Sequence, residues 1–89
     1  MSLNPKTVVY LLRSESDPSR LYVGLTSDLV TRLETHNSGG SRYTASNRPW
    51  QLLVAVDFSD ERTAVAFERY LKSGSGRAFA RRHLLPQSP

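Results

Sequence analysis

The chain has 89 residues and a mass of 10.0 kDa, room for one domain and no second hydrophobic core. Twelve Lys and Arg against eight Asp and Glu leave a net charge of +4, and ten of those cations are Arg, whose planar fork suits phosphate and carboxylate and so leans the balance towards a polyanionic partner. The absence of Cys excludes disulfides and thiolate chemistry, His36 and His83 are too few for a histidine-only zinc site, and apolar runs of at most five residues exclude a spanning helix. With no basic-then-apolar leader in MSLNPK, the expectation is a soluble, cytoplasmic domain with no membrane partner.

Thr7 to Arg13, β-branched and apolar between Pro5 and the loop-forming stretch Ser14 to Ser19, reads as a strand. Arg20 to Leu25 reads as a second strand, antiparallel to the first across a long hairpin loop, and Gly24 within it signals a close approach of another backbone or of a ligand. Thr26-Ser27-Asp28 supplies N-cap chemistry, Leu29, Val30 and Leu33 fall at helical spacing, and Asn37-Ser38-Gly39-Gly40 ends a first helix. Residues 39 to 49, GGSRYTASNRP, read as a mobile loop rich in groups that bind phosphate. Trp50 to Phe58 is the third strand. Ser59 and Asp60 cap a second helix that runs to about Ser73 and is stopped by Gly74; Ser75 or Gly76 starts a last short helix, Arg77 to Leu84, ended by Pro86. The order β-β-α-β-α-α specifies an α+β fold, a small three-stranded and mostly antiparallel sheet flanked by helices. The domain is expected over residues 6–84, with flexible termini at 1–5 and 85–89.

Chemistry-bearing residues stand at informative positions. Ala64, Phe67 and Leu71 form the stripe of the second helix that faces the sheet, which places the Glu68 carboxylate at the edge of the buried face, where it needs a cation, a metal or several donors. Lys72, four residues on, offers the ordinary surface pair as the simplest partner. Arg32 and His36 share one face of the first helix, which by itself reads as a solvated polar face. Tyr10 and Tyr22 are expected to meet on one face of adjacent strands, as core packing or as phenols brought near a cation. From Arg69 to His83 the chain carries five Lys and Arg and no acid, a one-sign patch suited to phosphate or to solvent.

Taken in order, Val8-Val9-Tyr10, Tyr22-Val23-Gly24, Thr26, Arg32-Leu33, His36-Asn37 and Glu68 form a pattern that resembles the GIY-YIG nuclease superfamily. Tyr43-Thr44 and Arg48-Pro49 are similar to its small single-domain members, which resemble the catalytic module of UvrC-type excision-repair nucleases. The resemblance implies a divalent-metal-dependent endonuclease that hydrolyses phosphodiester bonds in DNA, in repair or recombination. It also implies roles. Glu68 is the expected ligand of Mg²⁺ or Mn²⁺, Tyr10 activates or positions the attacking water, Tyr22 is its partner at the scissile phosphate, Arg32 balances phosphate charge, and His36 lies beside the reacting centre. Gly24, Thr26, Arg42, Tyr43, Arg48, Lys72 and Arg77 are the expected substrate contacts, and a homodimer or a protein partner is expected to supply specificity. Two positions depart from the pattern. Leu25 stands where many members carry Lys, and no Asn follows Glu68; Lys72 is the candidate replacement for a missing cation. The alternative readings are a degenerate module of the same fold that binds nucleic acid or a protein without cutting, and a protein-interaction domain that uses the Trp50 and Phe79 regions.

Overall fold

The computed structural model describes residues 5–87; residues 1–4 and 88–89, the outer parts of the termini expected to be flexible, lie outside the described residues. Strands β1 (Val8–Ser14), β2 (Leu21–Thr26) and β3 (Trp50–Asp57) form one sheet in the order β2-β1-β3, with β1 antiparallel to both neighbours. Helices α1 (Leu29–Ser38), α2 (Glu61–Leu71) and α3 (Gly74–His83) complete the expected β-β-α-β-α-α order of an α+β domain.

Both faces of the central strand are covered, so Val9, Tyr10, Leu11 and Leu12 are all buried. Alternation along β1 sorts them. Val9 and Leu11 join Val23 and Leu25 beneath Ala64, Phe67 and Leu71 of α2 and Phe79 and Ala80 of α3. Tyr10 and Leu12 join Tyr22, Trp50 and Leu52 beneath Leu29 and Leu33 of α1. The α2–α3 face is therefore aliphatic at the sheet and the α1 face carries the phenols. A one-residue slip of β1 would exchange the two sets, which is why the register is well specified. Between β1 and β3 the register shifts once, Leu11 lying opposite Val54 and Leu12 opposite Leu52, a bulge at Leu53.

Capping follows the sequence closely at both long helices. Asp28 accepts from the Thr31 amide and hydroxyl at the start of α1, and Asp60 does the same with Thr63 at the start of α2. Gly39 closes α1 at φ 85°, a left-handed conformation that glycine adopts without a Cβ penalty.

Three expectations are corrected. Segment 39–49 is an ordered part of the core, not a mobile loop. It contains a 3-10 turn at Ala45–Asn47, buries Thr44, and is tied down by Ser14 Oγ donating to the Asn47 carbonyl at 2.7 Å and by Trp50 Nε1 donating to the Thr44 carbonyl at 2.8 Å. Its turn-forming composition reports hydrogen bonding that is satisfied inward. The α2–α3 junction also differs, because α2 ends at Leu71 and Gly74 opens α3. Ser73 is the N-cap, its Oγ accepting from the Gly76 amide at 3.1 Å, and a Cβ on Gly76 would overlap the Tyr70 carbonyl. Gly76 is what lets α3 turn back tightly on α2. Finally, Trp50 is 6% exposed, so the protein-interaction reading loses its Trp50 region, while Phe79 is partly buried among Phe67, Tyr70 and His83. At the other end, Leu85 packs on the α2–α3 core and donates its amide to the Ala80 carbonyl at 2.9 Å.

Candidate active site

Tyr10 and Gly24 are directly opposite in the β1–β2 ladder, and Leu12 lies opposite Tyr22. With no Cβ on Gly24, the Tyr10 ring lies flat across β2; an alanine there would overlap the phenol. The close approach signalled by this glycine is thus made by the side chain of Tyr10. Tyr22 stands beside it with ring centroids 6.2 Å apart.

Helix α1 lies over both phenols and contributes His36, which is completely buried, not solvated. Tyr10 Oη is 2.8 Å from His36 Nε2, and the Tyr22 ring meets the imidazole edge-on at 4.8 Å. On the far side of the imidazole, Nδ1 is 2.8 Å from Thr44 Oγ1. The Thr44 hydroxyl donates to the Ser41 carbonyl at 3.4 Å, so its oxygen is free to accept from His36. This chain assigns the tautomer: Nδ1–H donates to Thr44, and Nε2 is left as the acceptor of the Tyr10 hydroxyl proton.

Arg32, one turn before His36, sits beside both phenols. Its ionised form is favoured chiefly by the Tyr10 oxygen. Burial pushes the Tyr10 phenol above its ordinary range, while the Arg32 guanidinium pulls it back. Burial, and secondarily Arg32, holds His36 below its ordinary value of 6.5, so the imidazole is neutral at physiological pH. A neutral acceptor, a phenol donating to it and a fixed cation beside the phenol form a proton-handling unit. The same cation can carry charge on an anionic ligand.

The remaining expected site residues are distributed differently. Glu68 projects from α2, whose Ala64, Phe67 and Leu71 pack on the sheet face opposite α1; its carboxylate, 15% exposed, is ion-paired with Lys72, the simple pairing that the i, i+4 spacing allows. Lys72 does reach the edge strand, for it and Arg77 line a groove that extends to Tyr22. Thr26 is not turned to a ligand, since its hydroxyl donates to the Asp28 carbonyl and accepts from the Asp28 amide in the β2–α1 turn. Arg48 lies against Gly39 and donates Nε to the Ala45 carbonyl at 2.7 Å, pinning the segment after α1. Arg42 is exposed, and Tyr43 is 86% exposed, held out by the buried Thr44 beside it. Thr44 itself was not among the expected site residues, and neither was the use of Asn37, whose amide both accepts from the Trp50 N–H at 2.6 Å and donates to the Trp50 carbonyl, tying the end of α1 to β3. Threonine in a turn-rich stretch carries no pattern that marks it as an imidazole partner.

Among the described residues there is no cluster of three His, Asp or Glu able to hold a metal ion. A lone carboxylate is the kind of oxygen ligand that suits a hard cation keeping most of its waters, as Mg²⁺ does, and the Glu68 carboxylate is such a group, here paired with Lys72.

Comparison with known proteins gives the family. A family model described as the GIY-YIG catalytic domain matches residues 6–82. The chain is 46% identical over 65 residues to a structure-specific endonuclease subunit slx1 of Talaromyces stipitatus, covering 66% of this chain and 17% of that protein. It is 47% identical over 53 residues to the UPF0213 protein YsiG of Lactococcus lactis, covering 58% of this chain and 51% of the relative, and 34% identical over 74 residues to the UPF0213 protein SAG0778 of Streptococcus agalactiae, covering 82% and 84%. The chain thus spans about half or less of the first two relatives and most of the third. With the family match running from two residues before β1 almost to the end of α3, over a sheet that brings both motif tyrosines against the α1 histidine, the chain belongs to the GIY-YIG catalytic domain family.

Proposed function

We propose that the chain is a divalent-metal-dependent endonuclease that hydrolyses phosphodiester bonds in DNA, serving repair or recombination in the cytoplasm. The observation that carries this reading is the buried Tyr10–His36 hydrogen bond with Arg32 beside it. In the proposed reaction the attacking water gives its proton to the Tyr10 oxygen as the Tyr10 proton passes to His36 Nε2, and the new P–O bond forms as the bond to the leaving oxygen breaks. Arg32 and Tyr22 face the charge that builds on the phosphoryl oxygens. Glu68 would hold Mg²⁺ or Mn²⁺, which when bound supplies further charge stabilisation. Arg42 and Tyr43, exposed beside the anchored Thr44, are proposed to contact substrate. Thr44 is a positioning residue that acts through the His36 tautomer.

A second reading, a binding module that does not cut, is favoured by one observation: the Glu68 carboxylate is already paired with Lys72. A cleavage screen over single-stranded, duplex, flap and branched DNA separates the two. Cutting that needs Mg²⁺ or Mn²⁺, stops with chelator and is lost in Glu68→Gln supports the nuclease. Salt-dependent binding with no turnover under either metal supports the binding module.

A further inference from the structure

At the β2 edge of the sheet, on the side covered by α2 and α3, a groove of about 830 Å³ runs between the β1–β2 hairpin and the α2–α3 corner. Arg13 and Arg20 line one wall, Lys72, Arg77 and Arg81 the other, and no acidic residue lines it. Its floor is apolar, with Val23, Leu71 and Leu85. Arg20 is loosely paired with Asp17 and Lys72 with Glu68, while Arg13, Arg77 and Arg81 have no ion-pair partner among the described residues. Arg77 and Arg81 are four apart on α3, a like-charge spacing that weakens an isolated helix by a few tenths of a kcal/mol.

We infer that this groove binds a single strand of nucleic acid and leads it away from the candidate active site. The inference rests on the nuclease reading for the class of ligand and extends it to Arg13, Arg20 and Arg81. Three observations point the same way. The cations stand on both walls, as a backbone running between them requires; the apolar floor suits sugars and bases. The groove's lining includes Tyr22 of the edge strand β2, whose ring meets His36 on the α1 face, so a strand passing round this edge of the sheet joins the two. Its volume is that of a cleft for a small ligand, enough for a few nucleotides of one strand.

The test uses the intact chain in chelator, so that binding is read without turnover: fluorescence anisotropy of a labelled twelve-residue oligothymidylate over a salt series. Arg13→Gln/Arg20→Gln/Arg81→Gln should weaken binding at least about tenfold and flatten the slope of log K against log salt by about two, since each lost phosphate contact in a single strand removes roughly 0.7. Because Arg13 is half-buried on the central strand, Arg20→Gln/Arg81→Gln serves as the variant that leaves the sheet intact, with a proportionally smaller loss expected. Arg62→Gln/Arg69→Gln, on the outer face of α2, should bind as the parent does. Parental affinity and salt slope in both groove variants would overturn the inference, as would equal loss of affinity for a matched duplex. Oligoglutamate competing as well as the oligonucleotide at equal charge would also overturn it, marking an acidic-peptide surface instead. Groove-dependent binding by a chain that never cuts upholds the groove and sinks the nuclease reading. Cutting by a chain whose binding ignores the groove does the reverse.

Discussion

Tyr10 and Gly24 form one functional unit at the residue scale, since the glycine exists in order to let the phenol lie across β2 and reach His36. Gly24→Ala should therefore displace the ring, lowering stability by about 1–3 kcal/mol and abolishing the Tyr10–His36 contact. A urea midpoint together with the loss of cleavage checks it. On the far side of the imidazole, Thr44→Val should leave Nδ1–H buried without an acceptor, a cost of roughly 1–3 kcal/mol, and release the tautomer, shifting the pH–rate profile, whereas Thr44→Ser should restore both. An unaltered pH–rate profile in Thr44→Val would show that Thr44 is packing alone. His36 also sets a pH dependence of stability. Its folded value lies below the ordinary 6.5, so near and below that pH the unfolded chain binds more protons than the native one. Stability should be flat above about pH 7 and fall as pH drops through 6.5 towards the depressed folded value, and His36→Gln should remove this component from a denaturation series.

At the scale of elements, the α2–α3 corner depends on Gly76, whose close packing sequence patterning does not show. Gly76→Ala should force the helices apart at Tyr70 and cost about 1–3 kcal/mol, read as a lower melting temperature; an unchanged melt would mean that α3 adjusts freely. The strands and the starts of α1 and α2 are legible in the sequence, because alternation and Asp caps are local signals that the tertiary structure leaves in force. The corner is not, since Gly74 looks like a helix stop and Gly76 like an ordinary helix start unless the closeness of the Tyr70 carbonyl is known. Segment 39–49 fails for the same physical reason. Its burial is produced by Ser14, Trp50 and His36, residues distant in sequence, and composition alone cannot report those partners.

Across the whole molecule the sheet divides the chemistry. The face under α1 holds Tyr10, Tyr22, Arg32 and His36; alternation puts the two tyrosines on one strand face, whereas the i, i+4 pair by itself reads as solvated, and only the family resemblance joins the four in the sequence. Glu68 is held by Lys72, which lines a groove at the β2 edge whose walls come from four separate parts of the chain. No linear pattern gathers Arg13, Arg20, Lys72, Arg77 and Arg81 into one surface. The net charge of +4 is therefore less informative than its placement, with one cation beside the phenols and five along this groove. The central claim is that the Tyr10 hydroxyl is the proton-transferring group of this centre, and Tyr10→Phe removes that oxygen while keeping the ring. In single-turnover cleavage of a labelled flap DNA with Mg²⁺, the variant should retain its fold by circular dichroism and cut at least about 100-fold more slowly than the parent. A folded Tyr10→Phe protein that cuts within about twofold of the parent rate would contradict the account.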